Sequence, residues 1–297
     1  MPLRSRLFLM VAAALVPMAM FAVVAAVLLQ KDERDTMARD GIGRARSAMS
    51  AIDAHLRGTL LGLRTLAASK NLEAGDIRAF HAESQRVLKG DPAWVNIGLL
   101  SRDQVLFNSV YAFGKPEPLP ALEDSMEVTA NGAKIAFGTV RSGNVVRNPT
   151  VRVHMPVSYD AAGRYILVAP LNIKQIAEVL QAQKLPEGWT IVLMDRNSQV
   201  IAGFPTVATG SPASDAVREA LTRAPEGWSP SVSADDPPGY IAHVTSDLSG
   251  WVLAIGIPAD YMDASAKRGL RKLVIYALAA LAFSIVLAWL VARRIPD

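Results

Sequence analysis

Trp94-Val-Asn-Ile-Gly-Leu-Leu-Ser-Arg-Asp-Gln-Val-Leu-Phe-Asn-Ser-Val110 is two apolar runs separated by the polar break Ser101 to Gln104. Short apolar runs bounded by turn residues read as a β-hairpin. Trp189-Thr-Ile-Val-Leu-Met-Asp-Arg-Asn-Ser-Gln-Val-Ile-Ala-Gly203 follows the same plan, with its turn at Asp195 to Ser198. Trp94 matches Trp189, and Gln104-Val105 matches Gln199-Val200, at an offset of 95. A second hairpin is repeated as well. Val151 to Ala169 turns at Asp160-Ala-Ala-Gly163, and Tyr240 to Ile257 turns at Asp247-Leu-Ser-Gly250, with Asp160 and Gly163 matching Asp247 and Gly250 at an offset of 87. Internal repetition of this kind marks a duplicated structural unit. Each unit then holds two antiparallel hairpins around a variable middle, an arrangement that suits a cavity between sheet and insert.

Upstream of the first hairpin the period changes. Ile42, Ala45, Met49, Ile52, Leu56, Leu60, Leu63 and Leu66 are spaced by threes and fours, which is one face of a long helix. Gly58 and Gly62 weaken that helix intrinsically, so packing must hold it. A second helix is expected over Asp76 to Lys89, and a connecting helix over Leu171 to Gln183.

Two apolar runs bracket all of this. Leu7 to Leu29 is interrupted only by Pro17, and Leu273 to Val291 only by Ser284. As helices they would reach roughly 34 and 28 Å, against a hydrocarbon core of about 30 Å. The first run exceeds the roughly 7–15 apolar residues of a cleaved signal peptide, so an uncleaved anchor is expected. Two spans place both termini on one side. Arg4, Arg6, Arg293 and Arg294 flank the spans at the terminal ends, which favours cytoplasmic termini. Lys267, Arg268, Arg271 and Lys272 argue the other way, but long loops cross largely regardless of charge. The expectation is an inner-membrane, multi-pass chain with residues 30–272 outside the cytoplasm. Between the runs lie 27 basic and 26 acidic residues, so the overall charge of +4 gives no basic face for nucleic acid. The chain has no cysteine, which excludes disulfides and thiolate chemistry.

With the anchor, the long helix 42–66, the paired units near 94–170 and 189–258, and an exit segment into a second span, the layout resembles the double Cache family of extracytoplasmic sensor domains. The resemblance implies an α+β fold of two tandem PAS-like antiparallel-sheet units on a long N-terminal helix, flanked by two transmembrane helices. The tail Val291-Ala-Arg-Arg-Ile-Pro-Asp297 is similar to the junction that opens a HAMP linker. Leu185-Pro-Glu-Gly-Trp189 and Ser249-Gly-Trp251 look like segments in the sensor regions of two-component histidine kinases. The Arg-x-Trp-Tyr motif of the amino-acid-binding branch is absent from this sequence.

The expected division is 1–6 cytoplasmic, 7–29 first span, 30–92 stalk and second helix, 93–170 membrane-distal unit, 171–184 connecting helix, and 185–258 membrane-proximal unit. An exit helix over 259–272, a second span over 273–291 and the start of a cytoplasmic linker over 292–297 complete it.

One charge feature points to a site. Val128 to Tyr159 contains no Asp or Glu but holds Lys134, Arg141, Arg147, Arg152 and His154. Arg152 and His154, two apart on an expected strand, share a face, and arginine forks pair with carboxylate or phosphate. The stretch reads either as an anion pocket in the first unit or as a solvated face balanced by acids elsewhere. Asn96, Asn108 and Tyr111 are candidates for neutral hydrogen bonds to the same solute. His55, His81 and His243 read as structural, and no pair has metal-ligand spacing. Trp94, Trp189 and Trp251, at strand starts, read as core, with ligand stacking as the alternative for Trp94. Phosphate-loop, nucleophile-elbow, zincin and Rossmann motifs are absent, so no catalytic residue, metal or cofactor is nominated.

The expected function is a sensor region that binds a small, anionic solute and passes a helix shift inward as a homodimer. The output is a histidine kinase acting on a response regulator, or alternatively a chemoreceptor or diguanylate cyclase. An anchored envelope enzyme and an interaction protein without a solute are the rival classes.

Overall fold

Both pairs of hairpins close into five-stranded antiparallel sheets. The computed structural model describes residues 3–101, 104–115, 135–142, 149–158, 164–231 and 238–261, with positions 271, 275, 276, 279, 282 and 286 beyond; side chains before residue 34 are described only at 24, 27, 28, 31 and 32. The strands are β1 (Gly98–Leu100), β2 (Val105–Asn108), β3 (Ala136–Phe137), β4 (Arg141–Ser142), β5 (Pro149–Thr150), β6 (Arg152–Ser158) and β7 (Arg164–Pro170). They continue as β8 (Thr190–Met194), β9 (Val200–Phe204), β10 (Glu226–Ser231), β11 (Gly239–Thr245) and β12 (Val252–Pro258). The first sheet has the order β2-β1-β7-β6-β3 and the second β10-β11-β12-β8-β9, while β4 and β5 form a separate pair. Read from the other edge, the second order becomes β9-β8-β12-β11-β10, which is the first order strand for strand.

The duplication extends to an irregularity. In the first sheet the β1–β2 register shifts between Leu99 and Leu100, and in the second the β8–β9 register shifts between Leu193 and Met194. A bulge is a specific local feature, and here it sits at the same place in both hairpins. It fixes the structural equivalence as Gly98 with Val192 and Leu99 with Leu193.

The helices are α1 (Leu3–Ala67), α2 (Lys70–Glu73), α3 (Ile77–Gly90), α4 (Ile173–Gln181) and α5 (Asp215–Arg223). Side-chain caps begin three of them. The Ser69 hydroxyl accepts from Asn71 N–H (3.2 Å), Asp76 Oδ1 from Ala79 N–H (2.9 Å) and Asn172 Oδ1 from Lys174 N–H (3.2 Å), satisfying amides that a helix start leaves open. Contacts divide the chain into residues 41–257 and a second unit of 1–40 with 258–297. The latter is described as the first part of α1 and short helical stretches. Among the described residues no helix is long and apolar enough to cross a membrane. The apolar runs 7–29 and 273–291 fall almost wholly outside the described side chains.

Within 41–257 the stripe expected from spacing is the buried face of α1. Ala45, Met49, Ile52, Leu56, Leu60, Leu63 and Leu66 join one core with Leu99, Phe107, Val153, Met155 and Leu167 of the first sheet and Ile191, Leu193, Leu253 and Ile255 of the second. Each fully buried aliphatic side chain contributes roughly 1.5–3 kcal/mol. Two polar clamps accompany it. Arg46 forms a forked ion pair with Glu226, and Ser246 Oγ donates to Asp53 Oδ1 at 2.7 Å.

The two helix glycines differ. A Cβ on Gly62 would lie 2.8 Å from the Trp94 ring, whereas one on Gly58 meets nothing within 4 Å. Trp94 is therefore seated on α1. We expect Gly58→Ala to stabilise the fold by about 1 kcal/mol through helix propensity. Gly62→Ala should destabilise it by about 1–2 kcal/mol through overpacking. Thermal melts of the two variants should move in opposite directions, and a shared direction would refute this account of the α1–Trp94 seam.

Candidate functional site

Strand pairing decides which predicted residues meet. Directly opposed residues of an antiparallel pair point to the same face of the sheet. His154 of β6 opposes Ala136 of β3 and Val168 of β7; Val168 opposes Gly98 of β1; Gly98 opposes Asn108 of β2. These five make one row across the whole first sheet. The next row on the same face is Pro156, Ile166, Leu100 and Val105. On the other side of the first row, Arg152 opposes Pro170. Val153, Met155 and Leu167 point the opposite way, into the core shared with α1. The outer face thus combines a polar margin with an apolar floor, since Leu100, Ile166 and Val168 form a buried cluster of their own with Val105.

Arg152 is half-buried and His154 fully buried, at 0 % exposure. Burial, reinforced by the Arg152 charge, lowers the His154 pKa to about 3, so its imidazole is neutral at pH 7. Asn96, two residues before Gly98, is buried, and Asn108 is half-buried with its Oδ1 accepting from Val110 N–H (3.2 Å). The structure therefore gathers Arg152, His154 and Asn108 on one face, with Asn96 beside it.

The remaining candidates lie elsewhere. Arg141 is exposed on β4, outside the five-stranded sheet, and its Nε donates to Thr139 Oγ1 (3.4 Å). Arg147 lies outside the described residues. Tyr111 is held toward α3: its carbonyl accepts from His81 Nε2 (3.0 Å) and Gln85 Nε2 (3.5 Å), and Lys115 Nζ stands 3.8 Å over its ring. His81 and His243 each donate to a backbone carbonyl, Tyr111 and Ala224 respectively, a structural use in both cases. Trp251 packs edge-on against Phe137 at 5.5 Å. Among the described residues no group of three metal-ligating side chains could hold an ion.

The equivalent face of the second sheet is closed. Met194, Val200, Ile241, Val252 and Ala254 pack against Ala213 and Ala216, with Val192, Val207, Val217 and Leu221 around them. Val207 presses onto the sheet so closely that a Cβ on Gly203 would lie 2.9 Å from its Cγ2. Val192 occupies the place that Gly98 holds in the first sheet. At Gly98 a Cβ would find only ordinary contacts, the nearest being Phe107 O (3.6 Å), Leu100 Cδ1 (3.7 Å) and Val168 O (3.9 Å), all from the sheet itself. Sequence reasoning passed over Gly98. Its signal was strand parity, which sets it between Asn96 and Leu100 and opposite in sense to Leu99.

No family model matches this chain, and no curated protein does. Solved structures do. The extracellular domain of rpHK1S-Z16, assigned as a histidine kinase, superposes with a TM-score of 0.57 at 16 % identity, over 77 % of this chain and 96 % of that one. The sensory domain of the Campylobacter jejuni chemoreceptor Tlp3 (CcmL) with isoleucine bound gives 0.56 at 12 % identity, over 79 % and 97 %. The ligand-binding domain of the Pseudomonas aeruginosa PAO1 amino acid chemoreceptor PctB with L-Gln gives 0.56 at 11 % identity, over 74 % and 90 %. The fold of this chain is that of a double Cache-type sensor domain, as found in extracellular parts of histidine kinases and chemoreceptors.

Proposed function

We propose that the chain is the input region of a membrane-anchored sensor, which binds one small anionic solute on the outer face of the first sheet. The observation that carries this reading is the contrast between the two units. The second sheet's outer face is packed by apolar side chains, whereas the first carries Arg152, His154 and Asn108, with Asn96 beside them, around a buried apolar floor. Arg147, from the same acid-free stretch, is included in the proposed site; Arg141 and Tyr111 are left out. The apolar runs 7–29 and 273–291 serve as the two membrane spans, with 30–272 extracytoplasmic. Amino acids bound by Tlp3 and PctB give the scale of solute such folds hold. A solute acts by preferring one of two conformations. In this reading the shift reaches a histidine kinase output through the exit helix of a homodimer. A chemoreceptor or diguanylate cyclase output fits the fold equally.

The test is a thermal-shift survey of the full chain in lipid nanodiscs against a metabolite library, followed by titration calorimetry. The expected result is a carboxylate-bearing hit whose affinity falls at least tenfold in Arg152→Ala, as expected for loss of a charge-assisted hydrogen-bond pair. Uniform silence across the library would overturn the sensor reading in favour of an interaction protein without a solute.

A further inference from the structure

Resting on that reading, we infer that Asp195 of the second unit is a positioning residue for the proposed site: its carboxylate clasps the first unit's insert and so holds β3 against the strand that bears Arg152 and His154. Asp195 Oδ2 accepts from Val140 N–H at 2.7 Å. Val140 immediately precedes β4, and Pro149 begins β5. Gly210, in the loop between β9 and α5, lies against both: a Cβ there would be 3.6 Å from Val140 Cγ1 and 3.6 Å from Pro149 Cβ. Phe137 of β3 packs edge-on against Trp251, just before β12, at 5.5 Å. The β8–β9 turn, the β9–α5 loop and the approach to β12 therefore all meet the insert.

The first sheet's own hold on β3 is slight. Among the described residues, β3 pairs with β6 at Ala136–His154 and Phe137–Val153, and Gly138 N–H extends the pairing to the Arg152 carbonyl at 2.8 Å. So short an edge has little stability of its own. Gly138 bonds the backbone of Arg152 itself, and Val140, two residues on, bonds Asp195. The segment 138–140 thus joins the site strand to the second unit.

The duplication supplies an independent observation. Ser101 N–H donates to the Gln104 carbonyl and Asp195 N–H to the Gln199 carbonyl, both at 2.9 Å, so Ser101 is the copy of Asp195. The single Ser101 hydroxyl accepts from Gln104 N–H (3.2 Å). Asp195 Oδ1 alone does the same for Gln199 N–H (2.9 Å) and adds Asn197 N–H (2.8 Å). Oδ2 is the oxygen the turn does not need, and it goes to the other unit. Asp195 is buried, where a bond to a charged acceptor is strong.

The experiment is residue-resolved hydrogen exchange, which reads local opening, on the full chain in nanodiscs without solute, for Asp195→Asn and Asp195→Ser. The Asn oxygen can keep both turn amides, leaving an NH2 that cannot accept from Val140. The Ser hydroxyl reproduces the first turn and offers no second oxygen. Exchange at Gly138, whose bond to Arg152 is untouched, should rise at least tenfold more than at Gln199, as expected for loss of one charge-assisted bond. A role confined to the turn would move Gln199 instead. The variant whose Gln199 stays closer to the parent is decisive, so a turn that opens in one substitution leaves the other to answer. In that variant, a rise at Gly138 no larger than at Gln199 overturns the inference. Because no solute enters the measurement, a silent metabolite library removes the sensor reading and leaves the clasp standing, whereas an unmoved Gly138 removes the clasp and leaves the site.

Discussion

Asp195→Ala should lower the melting temperature by about 10 °C, the largest single-residue effect expected in the 41–257 unit. The Asp195 side chain is buried and accepts three backbone N–H groups: Asn197 (2.8 Å) and Gln199 (2.9 Å) on Oδ1, and Val140 (2.7 Å) on Oδ2. The first two close its own hairpin turn. The third comes from the segment just after β3, so one carboxylate ties the turn of the second sheet to the first sheet's insert. Removing it strands donors that each cost about 1–3 kcal/mol when buried without a partner. Allowing for water entry, the sum is about 4 kcal/mol, and for a unit of this size each kcal/mol moves Tm by roughly 2–4 °C. Asp195→Asn keeps an acceptor oxygen and should lose about half as much. Calorimetric melts of the two variants against the parent protein check this. A loss under 2 °C in Asp195→Ala would show that the carboxylate does not hold the two units together.

Acid should unfold the protein through His154. Its pKa is lowered to about 3 by burial and then by Arg152, whereas in the unfolded chain it lies near 6.5. Between these values the unfolded state binds more protons than the native state, so stability rises with pH across that window. The contribution is complete above about pH 6.5 and is lost progressively as pH falls toward 3. By pH 4.5 the loss amounts to about 3 kcal/mol, at 1.36 kcal/mol per unit. His154→Gln removes the titrating group while keeping a polar amide. It should be less stable than the parent at pH 7.5, with a gap that narrows by about 3 kcal/mol at pH 4.5. Urea denaturation at the two pH values measures the difference, and a constant gap would exclude His154 as the source.

Much of the fold was legible because it rests on periodicity. The α1 stripe from Ile42 to Leu66, both hairpins of each unit and the helix after Asp76 all follow from spacings that burial reproduces. The edge strands β3 and β10 and helix α5 were not separable from the variable inserts: β3 has two residues, and β10 (Glu226-Gly-Trp-Ser-Pro-Ser231) and α5 (Asp215–Arg223) carry too few large apolar residues to show a period. The duplication was legible with one slip. The tryptophans align at 95, but the bulges place Gly98 against Val192, one residue fewer.

The site was less legible than the scaffold. Placing Arg152 and His154 on one face needed only strand parity, and the register confirms that placement. The neutrality of His154 depends on burial supplied by residues distant in sequence, which no local pattern encodes. Arg141 was grouped with Arg152 by proximity in the chain, yet it belongs to the separate β4–β5 pair. Asp195 looked like an ordinary turn residue, and its bond to Val140 spans 55 positions.

The unequal chemistry of the two faces bears on stoichiometry. If, as proposed, only the first sheet's face takes up a solute, one chain binds one molecule and its own saturation curve is a plain hyperbola. Any steeper dose–response would then have to originate between chains.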